Sequence, residues 1–189
     1  LTASLVANSL QADDHGKLIF EDNFDRNESQ EETEEVGNGW GTNSKSRAGG
    51  HKQVDLRDGT LHIYIHETAD HAVSVRHDAE FTDGRVELRF MLENPKDTLG
   101  LDFADLTLKT VHAGHLFKVT IGTNKFDITD MKTGSMSNEI YEAKKAGKVT
   151  DEMKKLMAST KKVFPVKLET GKWYDLAVSI KGDTVAVTI

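Results

Sequence analysis

The 189-residue chain has no cysteine, only two prolines and few aromatic residues, 7% in all. Without cysteine there is no disulfide frame, no thiolate nucleophile and no Cys-based zinc site. No window reaches the roughly 18 apolar residues that a membrane-spanning helix needs. A basic stripe is missing too: 31 acidic groups stand against 24 basic ones, a net charge of −7. Such a balance argues against a nucleic-acid partner, whose phosphates require a concentrated positive surface. Apolar residues make up 37% of the chain, below the usual share of about 45–50%. One core can be built from this, with little apolar material to spare. The length fits one domain, since single β-sandwiches commonly run to about 200 residues.

What is present begins with the first twelve residues, Leu1 to Ala12, which are apolar and small, followed by Asp13-Asp14-His15. Residues 1–15 read as the remnant of a secretory signal peptide cut after Ala12, which predicts a secreted or periplasmic protein. The domain proper is expected over 16–189. The sequence stops at Ile189 inside an alternating apolar pattern, and a sheet with an open edge there predicts one or two further strands.

Leu18-Ile-Phe20 opens an expected short strand ending near Phe24. Residues 25–35 then carry six carboxylates and one arginine, and five glycines follow up to Gly50. The expectation is a long solvated loop, with a structural calcium loop as the alternative. After it the apolar pattern has period two, the signature of half-buried strands. Val54-Asp-Leu56, the turn Asp58-Gly59 and Leu61 to His66 read as a hairpin. Alternation puts Leu61, Ile63 and Ile65 on the core face and His62, Tyr64 and His66 on the other. Val73 and Val75, Val86 to Leu92, Leu99 to Leu108, Phe117 to Ile121, Phe126 to Ile128, Val166 to Leu168, Trp173 to Ile180 and Val185 to Ile189 continue the series. Roughly ten short strands with tight turns predict an all-β sandwich or jelly roll.

Residues 135–163 break the rhythm and read as an inserted helical hairpin. Ser137 is placed to cap its first helix, which stops at Gly147, and Thr150 to cap its second, with Asp151 and Glu152 in the first turn. Residues 132–167 hold nine lysines and four acidic groups, net +5, leaving −12 on the rest of the chain. The insert therefore covers core edges or offers a basic docking surface.

Chemistry is expected on the polar sheet face. His62, Tyr64 and His66 share it with Glu87, Arg89 and Glu93 from another strand, and His77, Asp102, Asp105, His112 and His115 lie around them. Dense donors and acceptors of this kind suit a polyhydroxylated ligand, although an antiparallel sheet has a solvated face in any case. No metal-ligand set is assigned: His62 and His66 stand about 13 Å apart along a strand, His112-Ala-Gly-His115 has no acidic third ligand adjacent, and no HExxH motif occurs. Glycosidase chemistry needs two carboxyls at set spacings, yet no Glu-x-Asp-x-Glu or Glu-x-Asp-x-x-Glu strand is present. No serine triad is supported either. Asp102 and His115 are the catalytic candidates, one carboxyl and one imidazole acting as acid and base. His66, Arg89, Tyr64, Glu87 and Trp40 are the substrate-binding candidates, Trp40 as an exposed platform in its glycine-rich loop. Trp173 is placed in the core.

Several stretches carry a family likeness. Glu21-Asp-Asn-Phe-Asp25 followed by Gly39-Trp40, the hairpin Val54-Asp-Leu-Arg-Asp-Gly-Thr-Leu61, the strand Phe81-Thr-Asp-Gly-Arg-Val-Glu-Leu-Arg-Phe90 and the closing Gly171 to Ile189 resemble, in that order, concanavalin A-like and laminin-G-like jelly-roll domains. Within that group the chain looks closest to the 3-keto-disaccharide hydrolase-type domains of exported bacterial proteins. The resemblance implies two antiparallel sheets and a sugar-binding or sugar-hydrolysing role. It departs in the acidic loop before Trp40 and in Leu99 to Asp105, which lacks the family's Asn and Arg, so no catalytic residue carries over. Two functions follow as expectations: an exported domain that binds or processes a carbohydrate, and a non-catalytic scaffold that docks a partner through the basic insert.

Overall fold

The computed structural model describes residues 16–189; the expected signal-peptide remnant, 1–15, lies outside the described residues. The elements are, in order, β1 (Gly41–Thr42), α1 (Ser44–Arg47), β2 (Val54–Arg57), β3 (Thr60–Ile63), β4 (Val75–Arg76), β5 (Gly84–Met91), β6 (Leu99–Ala104), a 3-10 turn (His112–Gly114), β7 (His115–Ile121), β8 (Lys125–Asp130), α2 (Asn138–Lys145), α3 (Asp151–Ser159), β9 (Lys161–Pro165), β10 (Trp173–Lys181) and β11 (Thr184–Thr188). Strands in several antiparallel sheets dominate and helices are few, the composition of an all-β sandwich. Among the described residues no helix is long and apolar enough to cross a membrane.

The chain divides into two compact units. One holds the described residues up to Arg85 together with Ser179–Ala186; the other holds Val86–Val178 and Val187–Ile189. In the first unit β2 and β3 form the expected hairpin, with Val54 opposite Ile63 and Asp55 opposite His62. Its two turn residues, Asp58 and Gly59, have φ of 48° and 69°, the paired left-handed backbone that a tight two-residue hairpin demands. The expected strand at Leu18 does not form. Leu18 and Ile19 are exposed, and residues 16–28 are assigned to no strand.

In the second unit β6-β7-β8-β9 make a four-stranded antiparallel sheet. Direct cross-strand partners share a face, so the register sorts its side chains into two sets. Leu101, Val119 and Ile128 line one face in a row, as do Phe103 with Phe117 and Ile121 with Phe126. Val119 and Ile121 are fully buried there, each contributing about 1.5–3 kcal/mol. The opposite face carries Asp102, Lys118, Thr120, Asp127 and Thr129. Val86–Met91 of β5 and Trp173–Val178 of β10 neighbour one another in a three-stranded sheet that β11 completes. Phe90, Leu176 and Val178 are its buried set.

The insert is helical where expected, and its boundary and one cap differ. Lys161–Pro165 belong to β9, so 161–163 are strand, and Val166 to Leu168 carry no strand. Thr150 caps α3 through its side chain, which accepts from the Met153 N–H at 3.2 Å. Ser137 makes no such bond; its hydroxyl donates to the Gly134 carbonyl instead. β9 has all five residues exposed, and as an edge strand it carries Lys161, Lys162 and Pro165, residues that discourage strand addition.

Candidate functional site

On β5 the alternation predicted from sequence holds: Val86, Leu88 and Phe90 turn inward and Arg85, Glu87 and Arg89 outward. On β10, Tyr174, Leu176 and Val178 are the inward set, while Trp173 and Asp175 are exposed. The two outward sets meet. The Arg89 guanidinium lies 5.7 Å from the centre of the Trp173 ring, and its Nε is 3.4 Å from Asp175 Oδ1. Trp173 is 44% exposed, which corrects its expected place in the core. Its own strand held the signal: Trp173 and Asp175 share parity, opposite to Tyr174 and Leu176, and a carboxylate one step away marks the wet side. The result is a flat indole flanked by a fivefold donor and a carboxylate, with Glu87 exposed on the same face of β5.

Asp102 and His115 stand on the other sheet and touch. His115 Nδ1 is 2.7 Å from Asp102 Oδ1, the two side chains 26% and 33% exposed. Spacing alone could not place them together. Lys118 lies opposite Asp102, and strict alternation from Lys118 would send His115 to the far face. A register shift after Phe103 skips Leu116 and sets Ala104 opposite His115. This bulge turns the imidazole onto the carboxylate's face. The preceding turn is tight: Ala113 has φ 51°, and a Cβ on Gly114 would stand 2.1 Å from the Asp105 carbonyl oxygen. The Asp105 N–H donates to the Gly114 carbonyl at 2.9 Å. The Asp105 carboxylate accepts from the Thr107 hydroxyl and N–H, and those bonds hold it below the ordinary carboxylate range.

The helical insert joins this turn directly. His112 stacks on Tyr141 of α2 at 3.6 Å with the rings 8° apart, and its N–H donates to the Met136 carbonyl. His112 and His115 ring centres are 6.5 Å apart. The Asn138 side chain donates to the Lys109 carbonyl, and Ile140 of α2 is buried. One cleft of about 570 Å³ lies on the insert, lined by Ser137, Glu139, Ile140, Glu152, Met153 and Leu156 among others.

Trp40, Tyr64 and His66 belong to the first unit, and none is an open platform. Trp40 is half-buried, its indole N–H donating to Asp22 Oδ2 at 2.8 Å, with Phe20, Phe24 and His77 packed around it. The Arg26 guanidinium, on Asp22 at 2.7 Å, together with Asn38, the Phe24 N–H and Trp40, holds that carboxyl well below its usual range. Tyr64 and His62 are half-buried whereas Ile63 and Ile65 are 44% and 66% exposed, the inverse of the expected faces. His66 lies flat against His51 at 4.1 Å and its Nδ1 pairs with the Thr68 hydroxyl.

The acidic segment is a loop, as expected, with Asp25, Glu31, Glu32 and Glu35 exposed, but Glu28 and Glu34 turn in against β2 and its approach and accompany that inversion. Glu28 accepts from the Leu56 N–H and from Lys52, and Glu34 from the Gln53 N–H and the Ser44 and Thr42 hydroxyls. These carboxylates satisfy backbone of β2 and its approach where a neighbouring strand otherwise would. Polar residues on the same side, Gln53 and Asp55, are therefore buried. Among the described residues one acidic group could hold a metal ion: Glu28, Glu31 and Asp55 bring oxygens within 4.8 Å of one another. The Lys52 ammonium already sits among them, at 2.8, 3.1 and 2.6 Å. Burial pulls the Lys52 pKa down, and the bonds to Asp55, Glu28 and Glu31 outweigh it, so the group is held well above the ordinary lysine range. For Asp55 burial acts upward, and hydrogen bonding with Glu28, Lys52 and Arg57 drives it well below the carboxylate range.

Comparison with protein-family models, curated proteins and solved structures returns no match for the chain.

Proposed function

We propose that the protein is a carbohydrate-binding sandwich domain of the concanavalin A-like jelly-roll type, acting in a secreted or periplasmic setting, that seats a saccharide on the outer face of β5 and β10. One observation carries this reading: Trp173 is 44% exposed, with Arg89 over its ring and paired to Asp175. A pyranose has an apolar C–H face and a rim of hydroxyls. An indole supplies a flat apolar surface, and the guanidinium that lies over its ring and pairs with the Asp175 carboxylate adds a donor and an acceptor for hydroxyls. The motif order of the sequence and the exported character of its first residues point the same way, and the resemblance to 3-keto-disaccharide hydrolase-type domains extends the reading to saccharide processing. The acidic cluster around Lys52 has a structural part in this account.

Glycan-array or calorimetric binding tests it. Trp173→Ala and Arg89→Ala fold as wild type and lose affinity at least about tenfold, since a stacking platform is worth on the order of 1.4 kcal/mol or more. His66→Ala, in the other unit, keeps affinity. A wild-type protein that binds no glycan and turns over no 3-keto-glucoside overturns the proposal.

The cleft on the insert favours a second reading, in which an acidic partner seats an apolar side chain against Ile140, Met153 and Leu156. Reversing the charges of Lys144, Lys145 and Lys148 then abolishes capture of that partner and leaves glycan affinity unchanged.

A further inference from the structure

We infer that His115, oriented by Asp102, is the general base of an ester-hydrolysing site whose substrate class is the O-acetyl group of a saccharide. The choice of sugar rests on the carbohydrate reading above; the chemistry of the pair does not. An ionised carboxylate only accepts hydrogen bonds, so in the neutral imidazole the 2.7 Å contact places the proton on His115 Nδ1 and the lone pair on Nε2. That is the arrangement in which a carboxylate selects the tautomer of a catalytic imidazole. Three features of the backbone set its position: the bulge that skips Leu116, the left-handed Ala113 and Gly114, where any side chain would strike the Asp105 carbonyl. Backbone strain concentrates where function needs a fixed geometry. The Tyr141 ring on His112 fastens the start of the same turn to α2.

Lys118 shares the face of Asp102 across the β6–β7 ladder but turns away from His115. Its stem lies over Gly100, where a Cβ would stand 2.6 Å from the lysine Cε, and His115 lies opposite Ala104 on the other side of Asp102.

The reaction balances with water alone. His115 Nε2 takes a proton from water as its oxygen adds to the ester carbonyl carbon. The carbonyl π pair moves to oxygen. The pair returns, the bond from carbon to the sugar oxygen breaks, and that oxygen takes the proton from the imidazolium. Acetic acid, which releases its proton to water to give acetate, and the free hydroxyl are the products. An acetal makes a different demand, a strong acid at the leaving oxygen and a carboxylate on the opposite side, and Asp102 is committed to the imidazole.

The test uses the wild-type protein with acetylated xylo-oligosaccharide and, separately, p-nitrophenyl acetate. Acetate release is expected and falls about 10²–10⁴-fold in His115→Ala, while His71→Ala, an exposed histidine elsewhere, leaves it unchanged. Asp102→Asn lowers the rate with the fold intact, and imidazole ¹⁵N spectra show the His115 proton moving from Nδ1 to Nε2. That second readout would not respond to a merely structural role for Asp102. Hydrolysis of neither ester, a rate indifferent to His115→Ala, or a wild-type proton on Nε2 overturns the inference. His115-dependent hydrolysis of p-nitrophenyl acetate without release from the saccharide leaves the pair standing and removes the sugar as its substrate. Loss of glycan binding in Trp173→Ala with both ester rates intact separates the two sites.

Discussion

The acidic cluster of the first unit and the polar sheet faces of the second are built from the same residue types and differ in burial and in how fully their bonds are made. Around Lys52, side chains of Glu28 and Asp55 are 2% and 4% exposed, and the lysine itself 8%. Their oxygens are occupied by an ammonium, a guanidinium or backbone N–H groups. On the second unit's faces, Asp102, His115, Arg89 and Asp175 are 33%, 26%, 68% and 91% exposed. On the proposed function, charge count does not separate structural groups from ligand-binding ones in this chain. Saturation and burial do, because a polar group whose bonds are complete has nothing left for a ligand.

The strongest way to break this contrast is to remove the buried cation. Lys52→Ala leaves Glu28 and Asp55 buried without their partner, and should cost about 3–5 kcal/mol of stability in a denaturant titration. Lys118→Ala, on the polar face, should stay within about 0.5 kcal/mol. Equal effects would erase the distinction. Next in size, Gly114→Ala should cost about 1–3 kcal/mol, since φ is 72° and the added carbon meets a carbonyl. It should also separate Asp102 from His115, seen as a loss of the Nδ1–H signal.

Acidification sharpens the contrast from another side. Asp22 and Asp55 are held well below the ordinary range in the folded state. A depressed folded pKa contributes stability that is present above the unfolded value, about 3.9, and lost as pH falls through it toward the folded one. The acidic segment should therefore stay docked at pH 5 and come away below about pH 4. Trp40 reports it, through the indole bond to Asp22. Release already at pH 6 would contradict the account. The smaller effect is Thr150→Ala, about 1 kcal/mol from the lost cap of α3, with no change in ligand binding.

How far the sequence leads depends on what period two can say. It placed most of the strands, the Asp58-Gly59 turn and the outward Glu87 and Arg89, because a half-buried strand writes its geometry into alternation. Alternation does not tell which set is inside. His62, Tyr64 and the exposed Ile63 and Ile65 came out inverted where a distant segment supplies carboxylates to the polar side. The contact of Asp102 with His115 was illegible for a different reason, a one-residue bulge that reverses parity. Trp173 is legible in the parity of its own strand, which puts it with Asp175 on the exposed side, whereas its position at the strand end beside the turn points to the core.

The most direct test of the carbohydrate-binding claim uses the chain's two tryptophans. In a ¹H–¹⁵N correlation spectrum each indole N–H gives one signal, Trp40 tied to Asp22 and Trp173 exposed on β10. On titration with an oligosaccharide that the array selects, the Trp173 signal should shift and saturate while the Trp40 signal stays still. A Trp173 signal that does not move, or a shift confined to Trp40, would contradict it.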